Sequence, residues 1–563
     1  MSTTSERAAE QAITSELVIY PSQDGKKIVA FLDHAGAEWE GRPFVVVTPK
    51  YGESKKNNIL LAYHLAANGL NVLRFDHTRH VGESDGNMFD FTLQSGVEDI
   101  IASTDYLQRR FGISQVSLVA SSLSVRTAIR AAAADVRVRH LVAIVGVVNV
   151  RDTLFKVYRE DLIGEHIAGR VWGVGDMLGH EADFDIFLKG AVDHDLHDFE
   201  GTVRDLEKIE IPVSMFPAEA DTWVEFSEIT RIRERFHNVR VHLIVGAMHE
   251  VRENIEASEK AFRQIVKETS RWAFGREIQV DAIRTPDKKT MLRQNKLERE
   301  RLKRARPITE NEPDFWSKYL KRYELMEQVG DYQEYLNLVG DLFGPIHSGD
   351  VLLDAGCGNG LLGLWVIRDL IMRGLAFDGV PPFYLGIDLT SSGLSDAFER
   401  HTGGIEGSGV GDAPLGLAYM QMDFDSYVER AGGSRIIDFD DGTFDKIACS
   451  LLISYLKHPE ALVKEMHRLL RPGGRIVISS MKPFCDLSTL YRDYVEGVSK
   501  PDELDAARNL LRAAGAIKVK EDQGYYRFYY GEELLEVLRS AGFVNCEAVS
   551  SLANQAFVAS ASK

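Results

Sequence analysis

Gln115 to Ser124 reads Gln-Val-Ser-Leu-Val-Ala-Ser-Ser-Leu-Ser. A short β-branched run passes into a turn of small residues, and a helical stretch, Val125 to Ala134, follows. Such a strained strand-to-helix turn lifts one hydroxyl above a sheet. Ala120 and Ser124 stand at the flanks, where strand and helix backbones approach closely and only small side chains fit. The nucleophile is then Ser122. Serine-rich turns are common, so the partners decide the matter. An apolar run, Ile211 to Phe216, ends in Ala-Glu-Ala-Asp221, and another, Val239 to Val245, ends in Gly-Ala-Met-His249. Serine, then acid, then histidine is the order of an α/β-hydrolase triad. Both partners sit just past strand C-termini, where sites of open α/β sheets gather. His249 is expected to take the proton of Ser122, and Asp221 to hold the imidazole tautomer. Glu219 and Glu250 are local rivals for the acid role. An oxyanion formed on attack is expected to meet the Leu123 N–H at the helix start and the Tyr51 N–H in the loop after Phe44 to Val47. Lys50, in the same loop, reads as a solvated charge.

A second constellation lies downstream. Val351-Leu-Leu-Asp-Ala-Gly-Cys-Gly-Asn-Gly360 is an apolar strand followed by a glycine turn, and an apolar helix, Leu361 to Met372, comes next. Gly356, Gly358 and Gly360 let the backbone turn tightly and approach a ligand. Asp354, on the strand end, suits the cationic amino acid part of S-adenosylmethionine, whereas a pyrophosphate disfavours a carboxylate there. Asp388 ends the next strand, Phe383 to Ile387, and is placed for ribose hydroxyls. Asp423 follows Met420 and is placed for an adenine amino group. A dinucleotide fingerprint wants its acid about 20 residues on, and Asp388 comes later than that.

The elements that must hold these residues are legible in outline. Apolar strands alternate with helical stretches in both halves, which indicates two parallel-sheet α/β domains. A chain of 563 residues exceeds one ordinary core. The expected architecture is an α/β-hydrolase fold over residues 1–275, a basic linker over 276–309, and a Rossmann-like class I methyltransferase fold over 310–563. In the last of these, Phe444 to Ser450 reads as a strand, Glu460 to Leu470 as a helix, Arg471-Pro-Gly-Gly474 as a sharp turn and Arg475 to Ser479 as a strand. Phe315 to Tyr323 is amphipathic, and aromatics at that spacing are more often core than lid.

Residues about 15 to 273 resemble the acyl transferases of bacterial bioluminescence, myristoyl-ACP thioesterases with an α/β-hydrolase fold. The matching stretches are Asn71-Val-Leu-Arg-Phe-Asp76, His80-Val-Gly82, Ala120-Ser-Ser-Leu-Ser124, Gly146 to Leu154, Asp221-Thr-Trp-Val224, and His249 with Glu253-Asn254. The resemblance implies an acyl-enzyme at Ser122 and release of a fatty acid from a thioester, with acyl carrier protein or acyl-CoA as the donor. Gly164 to Asp198 departs from the family and is expected in a cap. Thr48-Pro-Lys-Tyr-Gly52 also departs, being less glycine-rich. Residues 310 to 563 resemble class I S-adenosylmethionine-dependent methyltransferases, which implies a small-molecule methyl acceptor. No Asn-Pro-Pro-Tyr element follows the fourth strand, where Leu452-Ile-Ser-Tyr455 stands. Tyr455 and His458 are the candidate bases, and a carboxylate acceptor would need none.

Net charge of −18 disfavours nucleic acid as a partner. Apolar runs are too short to span a bilayer, and Met1 to Glu16 lacks an apolar signal core. Cys357, Cys449, Cys485 and Cys546 form no Cys-x-x-Cys and no metal cluster, which reads as free thiols in the cytoplasm. Lys288 to Arg306 carries nine Lys or Arg residues and reads as a solvated helical linker. Its alternative is a docking patch for an acidic carrier protein, with Lys55, Lys56 and Arg79. The combined expectation is a bifunctional enzyme, acyl release at one site and methyl transfer at the other. The competing readings keep one site active, with the methyltransferase half as a cofactor sensor or the hydrolase half as a scaffold.

Overall fold

The computed structural model describes residues 12–275, 278–373, 380–408, 415–431, 435–496 and 501–563. Residues 1–11, part of the stretch expected to lack a signal core, and 276–277 of the expected linker lie outside the described residues. The chain forms two compact units, Met1–Ile308 with Asp522–Gly524, and Thr309–Glu521 with Tyr525–Lys563.

In the first unit the strands are β1 (Ile13–Pro21), β2 (Lys27–Ala35), β3 (Phe44–Val47), β4 (Asn71–Phe75), β5 (Val116–Ser121), β6 (Val138–Ile144), β7 (Val174–Met177), β8 (His180–Asp183), β9 (Val213–Phe216) and β10 (Val239–Val241). Eight of them make one sheet in the order β1-β2-β4-β3-β5-β6-β9-β10. β2 pairs antiparallel with β1 and β4, and every later pair is parallel. The Phe-Val-Val-Val of β3 is buried throughout, the continuous apolar run of a strand covered on both faces. This is the α/β-hydrolase order. It lines the loops after β3, β4, β5, β9 and β10 along one sheet edge.

Between β6 and β9 the chain leaves the sheet as helices Val150–Tyr158, Leu162–Ile167 and Phe184–Asp193 and the hairpin β7-β8. Gly164 to Asp198 lies largely in this excursion. His180, from the hairpin, meets the β3 loop, where a Cβ on Gly52 would lie 2.7 Å from its Nε2.

The basic run differs from a solvated linker. Lys288–Ala305 is a helix capped by Asp287, and it belongs to the first unit. Glu298 is buried and grips the fully buried Arg74, with Arg74 Nη1 and Nη2 donating to its two oxygens at 2.7 and 2.6 Å. Arg74 also donates to Asp33, through Nε at 2.5 Å. Arg301 pairs with Glu83 at 2.8 Å, and Arg306 donates to the carbonyls of Gly82, Ser84 and Gly86. The patch proposed around Lys55 and Lys56 is likewise not a free basic surface. Both are buried, and Lys55 pairs with Asp76 at 2.6 Å and Glu83 at 2.7 Å. Arg79 pairs with Asp24.

The second unit carries β11 (Val351–Ala355), β12 (Phe383–Asp388), β13 (Gly416–Gln421), β14 (Phe444–Cys449), β15 (Leu470–Met481), β16 (Val544–Ser551) and β17 (Ala556–Ser562) in the order β13-β12-β11-β14-β15-β17-β16. The first five are parallel, and β17 runs antiparallel between β15 and β16. The Arg471-Pro-Gly-Gly474 turn is an excursion in β15: the register steps from Phe444↔Leu470 to Lys446↔Arg475. Phe315 packs with Ile517, Tyr526 and Phe528, so the aromatic face of helix Glu312–Arg322 is core. No helix among the described residues is long and apolar enough to cross a membrane. None of the four cysteines forms a disulfide.

Removing one partner of a buried ion pair costs about 3–5 kcal/mol, whereas a change on a solvated helix stays within about 0.5 kcal/mol. Glu298→Ala is therefore expected to destabilise the first unit by about 3 kcal/mol in urea unfolding. A change under about 0.5 kcal/mol would return helix Lys288–Ala305 to the role of a linker.

Candidate active sites

Ser122 sits on the turn between β5 and helix Ser124–Ala134 with φ 55°, a left-handed conformation rare for a residue with a Cβ. Four hydrogen bonds hold it. Ser122 N–H donates to Ile144 O at 2.9 Å, and its carbonyl accepts from Val125 N–H at 3.0 Å and Val147 N–H at 3.1 Å. Ser124 Oγ donates to Pro49 O at 2.5 Å, which ties the turn to the β3 loop. The flanks are tight: a Cβ on Gly146 would lie 2.7 Å from Val125.

Ser122 Oγ stands 2.7 Å from His249 Nε2. His249 Nδ1 stands 3.0 and 2.9 Å from the two oxygens of Asp221. Asp221 also accepts from Trp223 N–H at 2.9 Å and Val224 N–H at 3.1 Å. Its side chain is 4 % exposed and that of His249 13 %. The structure thus brings together three residues separated by as many as 127 positions. The rival acids are engaged elsewhere. Glu219 accepts from Gly246 N–H at 2.8 Å, and Glu250 binds Arg252 and Lys50.

Leu123 precedes the first turn of helix Ser124–Ala134, whose leading N–H groups have no intrahelical acceptor. Leu123 and Tyr51 line one small cavity beside the nucleophile turn. Lys50 is not a solvated charge. Its Nζ donates to His249 O at 3.2 Å, Glu250 O at 3.3 Å and Glu250 Oε2 at 3.2 Å. Arg252 donates to Glu53 at 2.5 Å and Asn57 O at 2.8 Å. These charges brace the β3 loop against the loop bearing His249.

Sequence reasoning assigned no role to His77 and His80, which follow β4 and line the same cavity. Their position past a strand end was the available signal. Gly52 N–H donates to His80 Nε2 at 3.1 Å. Burial, with His77 and His180 close by, holds His80 well below the ordinary histidine range; the Glu53 carbonyl opposes the shift.

In the second unit the glycine turn joins β11 to helix Leu361–Met372. Gly356, Gly358 and Gly360 all have positive φ, 77°, 53° and 82°. A Cβ on Gly360 would lie 2.6 Å from His401 Nε2 and 2.8 Å from Ala397 Cβ, so the turn admits only glycine there. His401, unremarked in the sequence, is fully buried beneath it. Its Nε2 lies 2.7 Å from Gly360 O and its Nδ1 2.6 Å from Tyr419 Oη. Burial takes the imidazole down to about 4.

Asp354 is buried at the end of β11. Tyr384 Oη donates to its Oδ2 at 2.7 Å, while Oδ1 finds no partner. Burial, reinforced by the charge of Asp388, pushes this carboxyl up to about 7 against the Tyr384 bond. Asp388 ends β12 and accepts from Gly358 N–H at 2.9 Å and from Thr390 N–H and Oγ1 at 2.8 Å. Asp423 lies two residues past β13 and accepts from Ser426 N–H at 3.2 Å and Ser426 Oγ at 2.5 Å. Tyr455 is packed against Trp316, with ring centroids 4.6 Å apart, and His458 is half-exposed, 3.8 Å from Glu429.

The pattern described as acyl transferase matches residues 44–302, and the pattern described as methyltransferase domain matches residues 327–548. The first match runs into helix Lys288–Ala305, in keeping with its place in the first unit. An acyl transferase of Photorhabdus luminescens is 29 % identical over 255 residues, 42 % of this chain and 82 % of the relative. That of Photobacterium phosphoreum is 29 % identical over 216 residues, 37 % of this chain and 68 % of the relative. That of Shewanella woodyi is 31 % identical over 209 residues, 37 % of this chain and 68 % of the relative. Among solved structures, Est1E of Butyrivibrio proteoclasticus with ferulic acid bound covers 45 % of this chain and 99 % of its own at 18 % identity, TM-score 0.39. An esterase of Pyrococcus furiosus covers 48 % and 97 % at 17 % identity, TM-score 0.35. The chain belongs to the acyl transferase family of these bioluminescent bacteria, with a methyltransferase domain following the acyl transferase domain.

Proposed function

We propose that this chain is a bifunctional enzyme that releases or transfers an acyl group from a thioester through an acyl-serine and transfers a methyl group to a small molecule. The observation that carries the first activity is the continuous hydrogen-bond chain from Ser122 Oγ through His249 to Asp221. As Ser122 Oγ attacks the thioester carbonyl, His249 Nε2 takes its proton. Asp221 fixes Nδ1–H and stabilises the imidazolium. The carbonyl oxygen becomes an oxyanion facing the N–H groups of Leu123 and Tyr51. Collapse breaks the carbon–sulfur bond, and His249 returns the proton to the leaving thiolate. Water or another acceptor then gives its proton to His249 and attacks the Ser122 ester; the bond to Oγ breaks, His249 returns the proton to Ser122 Oγ, and the acyl group is freed. Acyl carrier protein or acyl-CoA is the donor in this reading, and the compartment is the cytoplasm.

The second activity needs S-adenosylmethionine, and the residues fit it. The unpartnered Asp354 Oδ1 is an acceptor awaiting a donor, suited to the ligand's ammonium. In this reading Asp388 takes the ribose hydroxyls and Asp423 the adenine amino group. Gly356, Gly358 and Gly360 supply the positive-φ backbone of the turn, where a Cβ would meet Leu452, Leu320 or His401 of the chain itself. When bound, S-adenosylmethionine supplies an electrophilic methyl group. A carboxylate acceptor needs no base, being ionised near neutral pH. The released acid is thus the simplest acceptor, and in this reading acyl release precedes methylation.

Ser122→Ala should abolish labelling by a fluorophosphonate and lower thioester kcat by about 10⁶. Asp221→Asn should lower it by about 10⁴ with the fold intact. Labelling of the Ser122→Ala chain at the wild-type rate would remove the acyl-serine. Mass spectrometry of products from acyl carrier protein thioesters should show, only with S-adenosylmethionine present, a mass gain of one methylene on the released acid. Its absence across the panel would remove the carboxylate acceptor.

Cofactor affinity should depend on pH in a set direction. Asp354 titrates at about 7 in the free chain, and a cation beside it favours the charged form. Binding therefore expels a proton, and affinity should weaken up to about tenfold for each pH unit below about 7. In the free chain the same shift makes ionisation of Asp354 cost stability, a cost absent below the ordinary carboxylate range and full above about 7. Calorimetry in buffers of different ionisation enthalpy measures the proton release. Asp354→Asn should abolish it, and a pH-independent wild type would place the ammonium elsewhere.

A further inference from the structure

His249 leads into a strained turn. Val251, two residues on, has φ 64°, a left-handed backbone that a β-branched residue rarely adopts. Arg252 N–H donates across it to Glu250 O at 2.8 Å. A bond from residue i+2 back to residue i around a positive φ marks a γ-turn of the rare, strained kind. Such strain persists only where the surroundings over-determine it. The turn follows directly on the residue whose Nε2 stands 2.7 Å from Ser122 Oγ, so any slack in it is passed to the imidazole.

A side chain from another loop holds the two carbonyls that enter this turn. Lys50 Nζ donates to His249 O at 3.2 Å and to Glu250 O at 3.3 Å, and its third bond goes to Glu250 Oε2 at 3.2 Å. An ammonium has three N–H groups, and these bonds use them all on a side chain that is 12 % exposed. Lys50 belongs to Thr48-Pro-Lys-Tyr-Gly52, where the sequence departs from the acyl transferases it resembles. The carbonyl before it, Pro49 O, accepts from Ser124 Oγ at 2.5 Å. The N–H after it, that of Tyr51, is the second oxyanion donor of the proposed mechanism. Pro49 and Lys50 thus join the nucleophile turn to the histidine loop.

We infer that Lys50 is a positioning residue for acyl transfer: its ammonium fixes the backbone of His249 and of the strained turn after it, and so sets the base against Ser122. This rests on the reading of Ser122 as the acyl acceptor, and it adds to the triad a group that acts through His249 alone. Asp221 orients the imidazole at Nδ1; Lys50 holds the main chain from which that imidazole hangs. A misplacement of about 1 Å at a reacting group costs about 10² in rate. Loss of Lys50 would leave Glu250 paired with Arg252, so no carboxylate becomes uncompensated and the fold should survive.

The test uses the full chain with the N-acetylcysteamine thioester of octanoate. Lys50→Met keeps the apolar stem and removes the donors. It should lower kcat and the rate of Ser122 labelling by a fluorophosphonate together, by about 10²-fold, with KM within about twofold of the wild type. Lys50→Arg, which keeps a cation with N–H donors, should recover about a tenfold part of that loss. Methylammonium should accelerate Lys50→Ala and leave the wild type unchanged. A kcat for Lys50→Met within about twofold of the wild type would overturn the inference. A rise in KM at unchanged kcat would also overturn it, and would set Lys50 against the acyl donor. A loss that neither arginine nor methylammonium relieves would overturn it too, and would leave Lys50 a structural cross-link. Absence of both turnover and labelling in the wild type would instead remove the acyl-serine, and this inference with it.

Discussion

The first site depends on the left-handed backbone at Ser122. Held at φ 55°, such a residue costs about 1–3 kcal/mol and persists only where the surroundings over-determine it. Here they do. The N–H and C=O of Ser122 are bound to three other residues, and Ser124 Oγ closes onto Pro49. The parallel register of β5 between β3 and β6 sets the height of the turn. With the turn fixed, the loop after β10 brings His249 within 2.7 Å of the hydroxyl, and the loop after β9 supplies Asp221.

Charges that look like surface decoration do the bracing. Lys50, Glu53, Glu250 and Arg252 tie the β3 loop to the His249 loop. Lys55, Asp76 and Glu83 tie the same loop to the one after β4. Arg74, on a strand, is buried between Asp33 and Glu298. Removing one member of such a buried group leaves another charge uncompensated. The loops around Ser122 are therefore fixed by electrostatic cross-links as well as by packing.

This explains what could be read in the sequence and what could not. The strands around both sites were legible because their apolar runs are short and end in turn residues, as in Val351 to Asp354 before the glycines. The order of Ser122, Asp221 and His249 was legible because loops after parallel strands share one edge. Lys50 and the run Lys288 to Arg306 were read as solvated, and Lys55 as part of a docking patch, because their carboxylate partners stand far off in sequence. Glu298 lies 224 positions from Arg74, and no local pattern announces that distance. His401 escaped, and His80 entered only inside a matched stretch, for a related reason: each is defined by a backbone group, Gly360 O or Gly52 N–H, that only the folded chain brings near.

Two aspartates show how a strand end can be complete or incomplete. Asp221 accepts from two backbone N–H groups of its own loop and from His249. Every task of that carboxylate is met within the chain. Asp354 is more deeply buried, accepts only from Tyr384, and keeps one oxygen without a donor. A buried acceptor left so is unfavourable unless something outside the chain completes it. The glycines that follow it let the chain turn against Leu452, Leu320 and His401. Asp221 is complete within its own unit, whereas Asp354 keeps one acceptor open, the one the proposed cationic ligand would use.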